Sequence, residues 1–107
     1  MLDFYHKGQI SIEKIVEKMC HAPAVCYELA DRGYLEEGQW ADIVLVDEQA
    51  SWTVTPENIL YKCGWSPFEG DTFKGKVNTT IVSGHLAYHE GKFDETKWGQ
   101  RLAFNRD

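Results

Sequence analysis

Three observations predict an α+β chain in which two short N-terminal helices precede a mostly antiparallel β-sheet. Ile12, Ile15, Val16 and Met19 recur at helical spacing behind Ser11. Ile43-Val44-Leu45-Val46 is an unbroken run of β-favouring apolar residues bounded by Asp42 and Asp47. Beyond Val77, short β-branched segments are separated by Ser83-Gly84-His85 and Glu90-Gly91, which suit tight turns.

Taken in order, Met1 to Gln9 carries Leu2, Phe4 and Tyr5 up to a break at Gly8, and reads as the tail of a preceding element. Ser11 is a good N-cap for a helix from Ile12 to Cys20. Pro23 suits the first turn of a second helix to about Asp31, with Val25, Cys26 and Leu29 as its apolar side and Gly33 as its stop. Gly38 turns the chain at Glu36-Glu37, and Ile43 to Val46 follows as a strand expected to be buried on both faces. Trp52-Thr53-Val54 alternates as a second, half-buried strand, and Thr55-Pro56 opens one helical turn through Leu60. Tyr61 to Gly70 reads as an ordered loop pinned by the rings of Trp65 and Phe68. Val77 to Val82, Leu86 to His89 and Lys92-Phe93 form an antiparallel meander, and Trp98 to Phe104 fits strand or helix equally.

Composition narrows the classes. At 107 residues the chain is about one domain, and no run approaches the ~18 apolar residues of a membrane span. A net charge of −6, with 11 Lys and Arg scattered singly, argues against a nucleic-acid surface, because phosphate binding needs a concentrated basic face. Three cysteines without a CxxC spacing argue against a disulfide framework and point to a reducing, cytoplasmic setting. Asp3, His6 and Lys7 interrupt any signal-peptide core. The four Trp hint at large surfaces meant to be covered.

A search for chemistry yields no active site. Cys20-His21 and Cys26 match no zinc spacing, and Cys63 stands alone. His85 and His89 share strand parity, but four residues of extended chain span ~13 Å, too far to share an ion unaided. His6 reads as solvated, neither Ser66 nor Cys63 has a local base partner, and Glu36-Glu37 and Asp94-Glu95 read as solvated turn residues. The glycines form neither a GxGxxG nor a P-loop pattern.

The pattern Leu35-x-x-Gly38-x-x-Ala41-Asp42-Ile43-Val44-Leu45-Val46-Asp47 resembles the segment by which amidohydrolase-superfamily enzymes leave their barrel and enter a small β-sandwich. Upstream, Gly8-x-Ile10-Ser11-x-Glu13-x-Ile15-Val16 and Ala22-Pro23-Ala24 resemble the last barrel helix and the short helix after it. Downstream, Trp65-Ser66-Pro67-Phe68-Glu69-Gly70, then Phe73-Lys74-Gly75-Lys76-Val77, Thr80-Ile81-Val82-x-Gly84 and Tyr88-x-x-Gly91, resemble the cyclic amidohydrolase branch, dihydroorotases first and allantoinases next.

The resemblance implies that residues 1–33 are terminal helices of a (β/α)8 barrel and residues 34–107 the C-terminal half of a composite sandwich. It covers only the family's C-terminal quarter, so the chain is expected to be a fragment. The family's His-x-His, carboxylated lysine, further histidines and last-strand aspartate match no position here, so no catalytic, cofactor or metal residue is assigned. Gly38, Ala41, Asp42, Asp47, Trp65, Ser66, Pro67, Phe68, Glu69 and Gly70 remain as structural motif residues. The implied parent is a zinc-dependent dihydroorotase of pyrimidine biosynthesis, with an allantoinase, a hydantoin-type hydrolase or a stand-alone assembly module as alternatives. The chain alone is expected to be inactive, to lack its barrel and N-terminal sandwich strands as partners, and to self-associate, because each uncovered large side chain forfeits ~1.5–3 kcal/mol.

Overall fold

The computed structural model describes residues 1–106. Its elements are α1 (Leu2–His6), α2 (Ile12–Val16), a π-helical turn (Glu17–His21), α3 (Ala22–Cys26), β1 (Ile43–Thr53), a 3₁₀ turn (Pro56–Asn58), β2 (Thr72–Val82), β3 (His85–His89) and β4 (Lys92–Phe93). The strands form one antiparallel sheet in the order β1-β2-β3-β4, so the predicted α+β meander is the observed fold.

The N-terminal expectations need several corrections. Met1 to Gln9 is no mere tail, since Leu2–His6 is helical and docks on β2, where a Cβ on Gly75 would stand 2.7 Å from that of Leu2. Ser11 caps α2 as expected, its Oγ accepting from the Lys14 N–H at 3.2 Å. The chain then stays helical through His21 and Ala22 instead of breaking there. The cause is Pro23, which has no N–H for the carbonyl four residues back and whose ring would clash with it in a regular α-helix. Widening to a π turn, with the Ala22 N–H reaching the Glu17 carbonyl, removes that conflict.

The widened turn also moves the apolar stripe. At about 100° per residue, Ala24 on a regular helix would lie about 120° from Ile12, and one surplus residue brings it back to within about 20°. Ala24 is accordingly buried, whereas Val25 and Cys26, expected on the apolar side, are exposed. The second helix ends at Cys26, not near Asp31, because Glu28 adopts a left-handed φ of 56°. Gly33 is therefore not its stop. It packs on the helix flank at φ 96°, where a Cβ would stand 2.4 Å from the Ala24 Cβ and 3.1 Å from the Cys20 carbonyl oxygen.

Ile43–Val46 and Trp52-Thr53, expected as separate strands, belong to one strand, β1. Its register on β2 shifts between Leu45 and Val46 and again between Asp47 and Ser51. At the second shift the Asp47 Oδ1 accepts the Gln49 and Ala50 N–H groups at 2.9 and 3.1 Å, which holds the extra residues in a bulge. Burial of Ile43–Val46 on both faces is overturned: Val44, Leu45 and Val46 are 54%, 53% and 39% exposed, because the helix docked on the sheet, α1, packs on β2 and leaves them open.

The helical turn after Thr55 is shorter than expected and ends at Asn58. A reciprocal cap fixes it, with the Asn58 Oδ1 accepting the Thr55 N–H at 3.0 Å. The hairpins at Ser83-Gly84 and Glu90-Gly91 have positive φ at both turn residues, 49° and 81°, then 45° and 85°, as the right-handed strand twist favours. Trp98 to Phe104 is neither strand nor helix. It meets the helical part at the bridge of Phe104 to Leu29, beside hydrogen bonds from the Ala30 N–H to the Ala103 carbonyl and from the Asn105 N–H to the Glu28 carbonyl.

Candidate functional site

The most connected polar cluster lies where the helical part meets the sheet, and it is built on Arg32. Its side chain is 8% exposed, unusual for an arginine and tolerable only when paired. The Nη1 donates to the Asp42 carboxylate, and the Nη2 approaches the Ser83 Oγ at 3.4 Å and the Gln100 carbonyl at 3.5 Å. The Trp40 indole covers the guanidinium, with 5.0 Å between Cζ and the ring centroid. Asp42 spends its other oxygen on the Ser83 N–H at 2.7 Å, and the Ser83 Oγ accepts the Gln100 N–H at 3.2 Å.

Four segments distant in sequence converge here: the helix exit, the entry to β1, the β2–β3 turn and the C-terminal stretch. The Ala41 carbonyl accepts the Gly84 N–H and the Asp31 carbonyl accepts the Trp40 N–H, both at 2.9 Å. The Ala41-Asp42 motif therefore has a physical reason. The Ala41 carbonyl and the Asp42 carboxylate both bind the turn's backbone, and Asp42 also holds the buried arginine. Arg32 itself carries no local sequence pattern, so its role was missed; its weak signal is a lone arginine just before a glycine and ten residues ahead of a motif aspartate.

The guanidinium is already committed to Asp42, and a shallow cleft of about 380 Å³ beside it is lined mainly by apolar groups including Ile43, Ile81 and Leu102.

The other motif residues serve the loop before β2. Gly70 donates to the Val54 carbonyl at 2.9 Å with φ 88°, and Asp71 donates to the Phe68 carbonyl at 2.8 Å. The Ser66 Oγ accepts the Phe68 N–H at 3.2 Å, and its carbonyl accepts the Glu69 N–H at 3.2 Å. Phe68 meets Phe73 edge to face at 5.8 Å, and Phe73 touches Trp52 at the same centroid distance. Of the two rings expected to pin the loop, Phe68, itself 53% exposed, meets Phe73, whereas Trp65 is 61% exposed and meets no aromatic ring among the described residues. Pro67 and Glu69 lie exposed beside it, and Gly38 turns at φ 87° with open space around it.

The titratable candidates are dispersed. His21 stacks on Tyr34 at 4.3 Å, His85 Nε2 bonds the Asp94 carbonyl at 3.0 Å, and His89 Nδ1 meets the Thr79 Oγ1 at 2.9 Å. Cys20, Cys26 and Cys63 are separate, exposed thiols. Among the described residues no three His, Cys, Asp or Glu side chains come close enough to hold a metal ion. The zinc implied by the resemblance therefore has no fitting donor set in these residues. No described helix is long and apolar enough to cross a membrane.

The model of the Amidohydrolase family matches residues 1–87. A dihydroorotase from Pyrococcus furiosus is 36% identical over 102 residues, covering 95% of this chain and 24% of that protein. One from Clostridioides difficile is 42% identical over 84 residues, covering 78% and 19%. Among solved structures, the L-hydantoinase of Arthrobacter aurescens superposes with a TM-score of 0.78 at 30% identity, covering 87% of this chain and 21% of that one. The chain spans about a quarter or less of the length of these relatives. The matched residues include the helices, the Ala41-Asp42 join and the first two strands of the meander, and on that footing the chain belongs to the amidohydrolase family.

Proposed function

We propose that this chain is the C-terminal scaffold of a dihydroorotase, which reversibly hydrolyses the cyclic amide of dihydroorotate to carbamoyl-aspartate. The observation that carries it is the 36% identity to a dihydroorotase over 95% of the chain, and it is supported by the Ala41-Asp42 join, where Asp42 ties the buried Arg32 to the Ser83 turn. In this reading residues 1–33 belong to the end of a barrel and residues 34–107 to its flanking sandwich. Substrate, zinc and catalytic groups reside in the barrel, in the cytoplasm, and this chain supplies the wall on which its last helix is seated.

The test is reconstitution. A Pyrococcus furiosus dihydroorotase lacking the segment matched by this chain is mixed with the 107-residue chain, and ring opening of dihydroorotate is followed. Each part alone should be inert and the mixture active. Turnover by the 107-residue chain alone, with zinc supplied, would sink the scaffold reading.

The TM-score of 0.78 to an L-hydantoinase favours a second reading, the same segment of a hydantoin-type hydrolase. Reconstitution with a truncated hydantoinase, assayed on hydantoin, separates the two.

A further inference from the structure

We infer that residues 99–106 form a releasable strap. Docked, they hold the helix exit against the sheet at the knot of Arg32, Asp42 and Ser83, and they detach as one unit while the meander stays folded. The strap lies beyond residues 1–87, which the family model matches, and the inference does not depend on the scaffold reading.

The first observation is that the strap is anchored on two different parts of the fold. At the sheet, the Gln100 N–H donates to the Ser83 Oγ at 3.2 Å, and the Gln100 carbonyl faces the Arg32 Nη2 at 3.5 Å. Gly99 lies so close to β2 that a Cβ there would stand 3.2 Å from the Val82 Cγ1. At the helix exit, the Ala30 N–H donates to the Ala103 carbonyl at 2.9 Å and the Asn105 N–H to the Glu28 carbonyl at 2.8 Å. The Arg106 Nη2 adds a contact to the Tyr27 carbonyl at 3.4 Å.

The second observation is that the stretch it holds is strained. Glu28 and Asp31 each have φ 56°, a left-handed conformation that is unfavourable for residues with a side chain. Such backbone persists only where its surroundings over-determine it. The strap takes up the Glu28 carbonyl and the Ala30 N–H, so its docking helps fix this stretch.

The third observation is that the strap itself is lightly held. Every residue from 98 to 106 is exposed, so its hydrogen bonds are open to water and it belongs to the low-stability end of the fold. The sheet, by contrast, is held by paired strands along its length. The anchors at Gln100 and Ala103 are separated by only about 10 Å of extended chain. While one is seated it keeps the other near its partner at high effective concentration, and losing one weakens the other. Leu102, between them, lines the cleft with Ile43 and Ile81, so release of the strap opens that cleft.

Amide hydrogen exchange on the 107-residue chain, read by NMR, tests the inference. The Gln100, Ala30 and Asn105 amides should share one protection factor, lower than that of Val54, a buried residue whose N–H bonds the Asp71 carbonyl at 2.9 Å. Gln100→Pro removes the donor at one anchor and should speed exchange at Ala30 and Asn105 about fivefold, the equivalent of one hydrogen bond in a unit that opens together. Asn105→Pro, at the other anchor, should speed Gln100 by a similar factor, because coupling between two sites is reciprocal. Neither substitution should change Val54. In the unsubstituted chain, unequal protection among the three amides, or protection equal to that of Val54, overturns the inference. So does acceleration confined to the substituted anchor, or acceleration of Val54 by the same factor.

Discussion

Arg32 and Asp42 form an ion pair that closes the ten-residue excursion between the helices and the sheet, with the arginine buried and the aspartate 38% exposed. Removing Asp42 strands a buried positive charge and frees the Ser83 N–H. Asp42→Ala should therefore cost about 2–3 kcal/mol, less than the roughly 3–5 of a fully buried pair because Asp42 is partly solvated. Urea unfolding followed by tryptophan fluorescence checks it, and a loss below about 0.5 kcal/mol, the level of a surface pair, would contradict the knot.

Gly33 meets two separate constraints, a φ of 96° and the approach of Ala24. Gly33→Ala should lower stability by more than about 1 kcal/mol. Adding Ala24→Gly should restore only the part due to the 2.4 Å clash, since the left-handed backbone remains unfavourable for alanine. Thermal melts of the single and double variants separate the two parts.

The aromatic chain behind the loop predicts an asymmetry. Phe73 contacts both Trp52 and Phe68, so Phe73→Ala should cost about 2–3 kcal/mol, somewhat under the value for a fully buried ring. Trp65→Ala, at an exposed ring, should change stability by less than about 0.5 kcal/mol. Equal losses in denaturant titrations would mean that both rings hold the loop.

Asp94 sets a pH dependence. The Thr96 hydroxyl, and then its N–H, donate to the carboxylate and hold its pKa below the ordinary aspartate value. A depressed folded-state pKa contributes stability that is fully present above the unfolded value and is lost as pH falls through the folded one. The Thr96 amide resonance should therefore stay at its hydrogen-bonded position below the pH at which free aspartates protonate. Thr96→Ala should bring the Asp94 titration back toward the usual range.

What the sequence made legible was local. Ser11 announced its helix, and Ser83-Gly84 and Glu90-Gly91 announced their hairpins, because caps and tight turns are decided within three or four residues. Arg32 was invisible because its partners lie 10, 51 and 68 residues away. The exposure of Ile43–Val46 was misjudged for a related reason: an apolar run reports what it would bury against, not whether that layer is present. Val25 and Cys26 were placed on the wrong side because a 3.6-residue period cannot register one surplus residue ahead of Pro23.

That surplus residue bears on how the chain tolerates changes of length. The π turn at Glu17–His21 absorbs one residue and nothing more, so everything from Ala22 onward is set by the seat of Ala24 on Gly33 and not by counting from Ser11. A deletion of one residue inside the turn, with Pro23 exchanged for alanine, would wind the segment into a continuous α-helix and still deliver Ala24 to the same seat. Elsewhere in α2 or α3 the same deletion would rotate the helix flank away from Gly33. The turn is thus the point at which this helix can lose a residue without its downstream neighbours registering the loss.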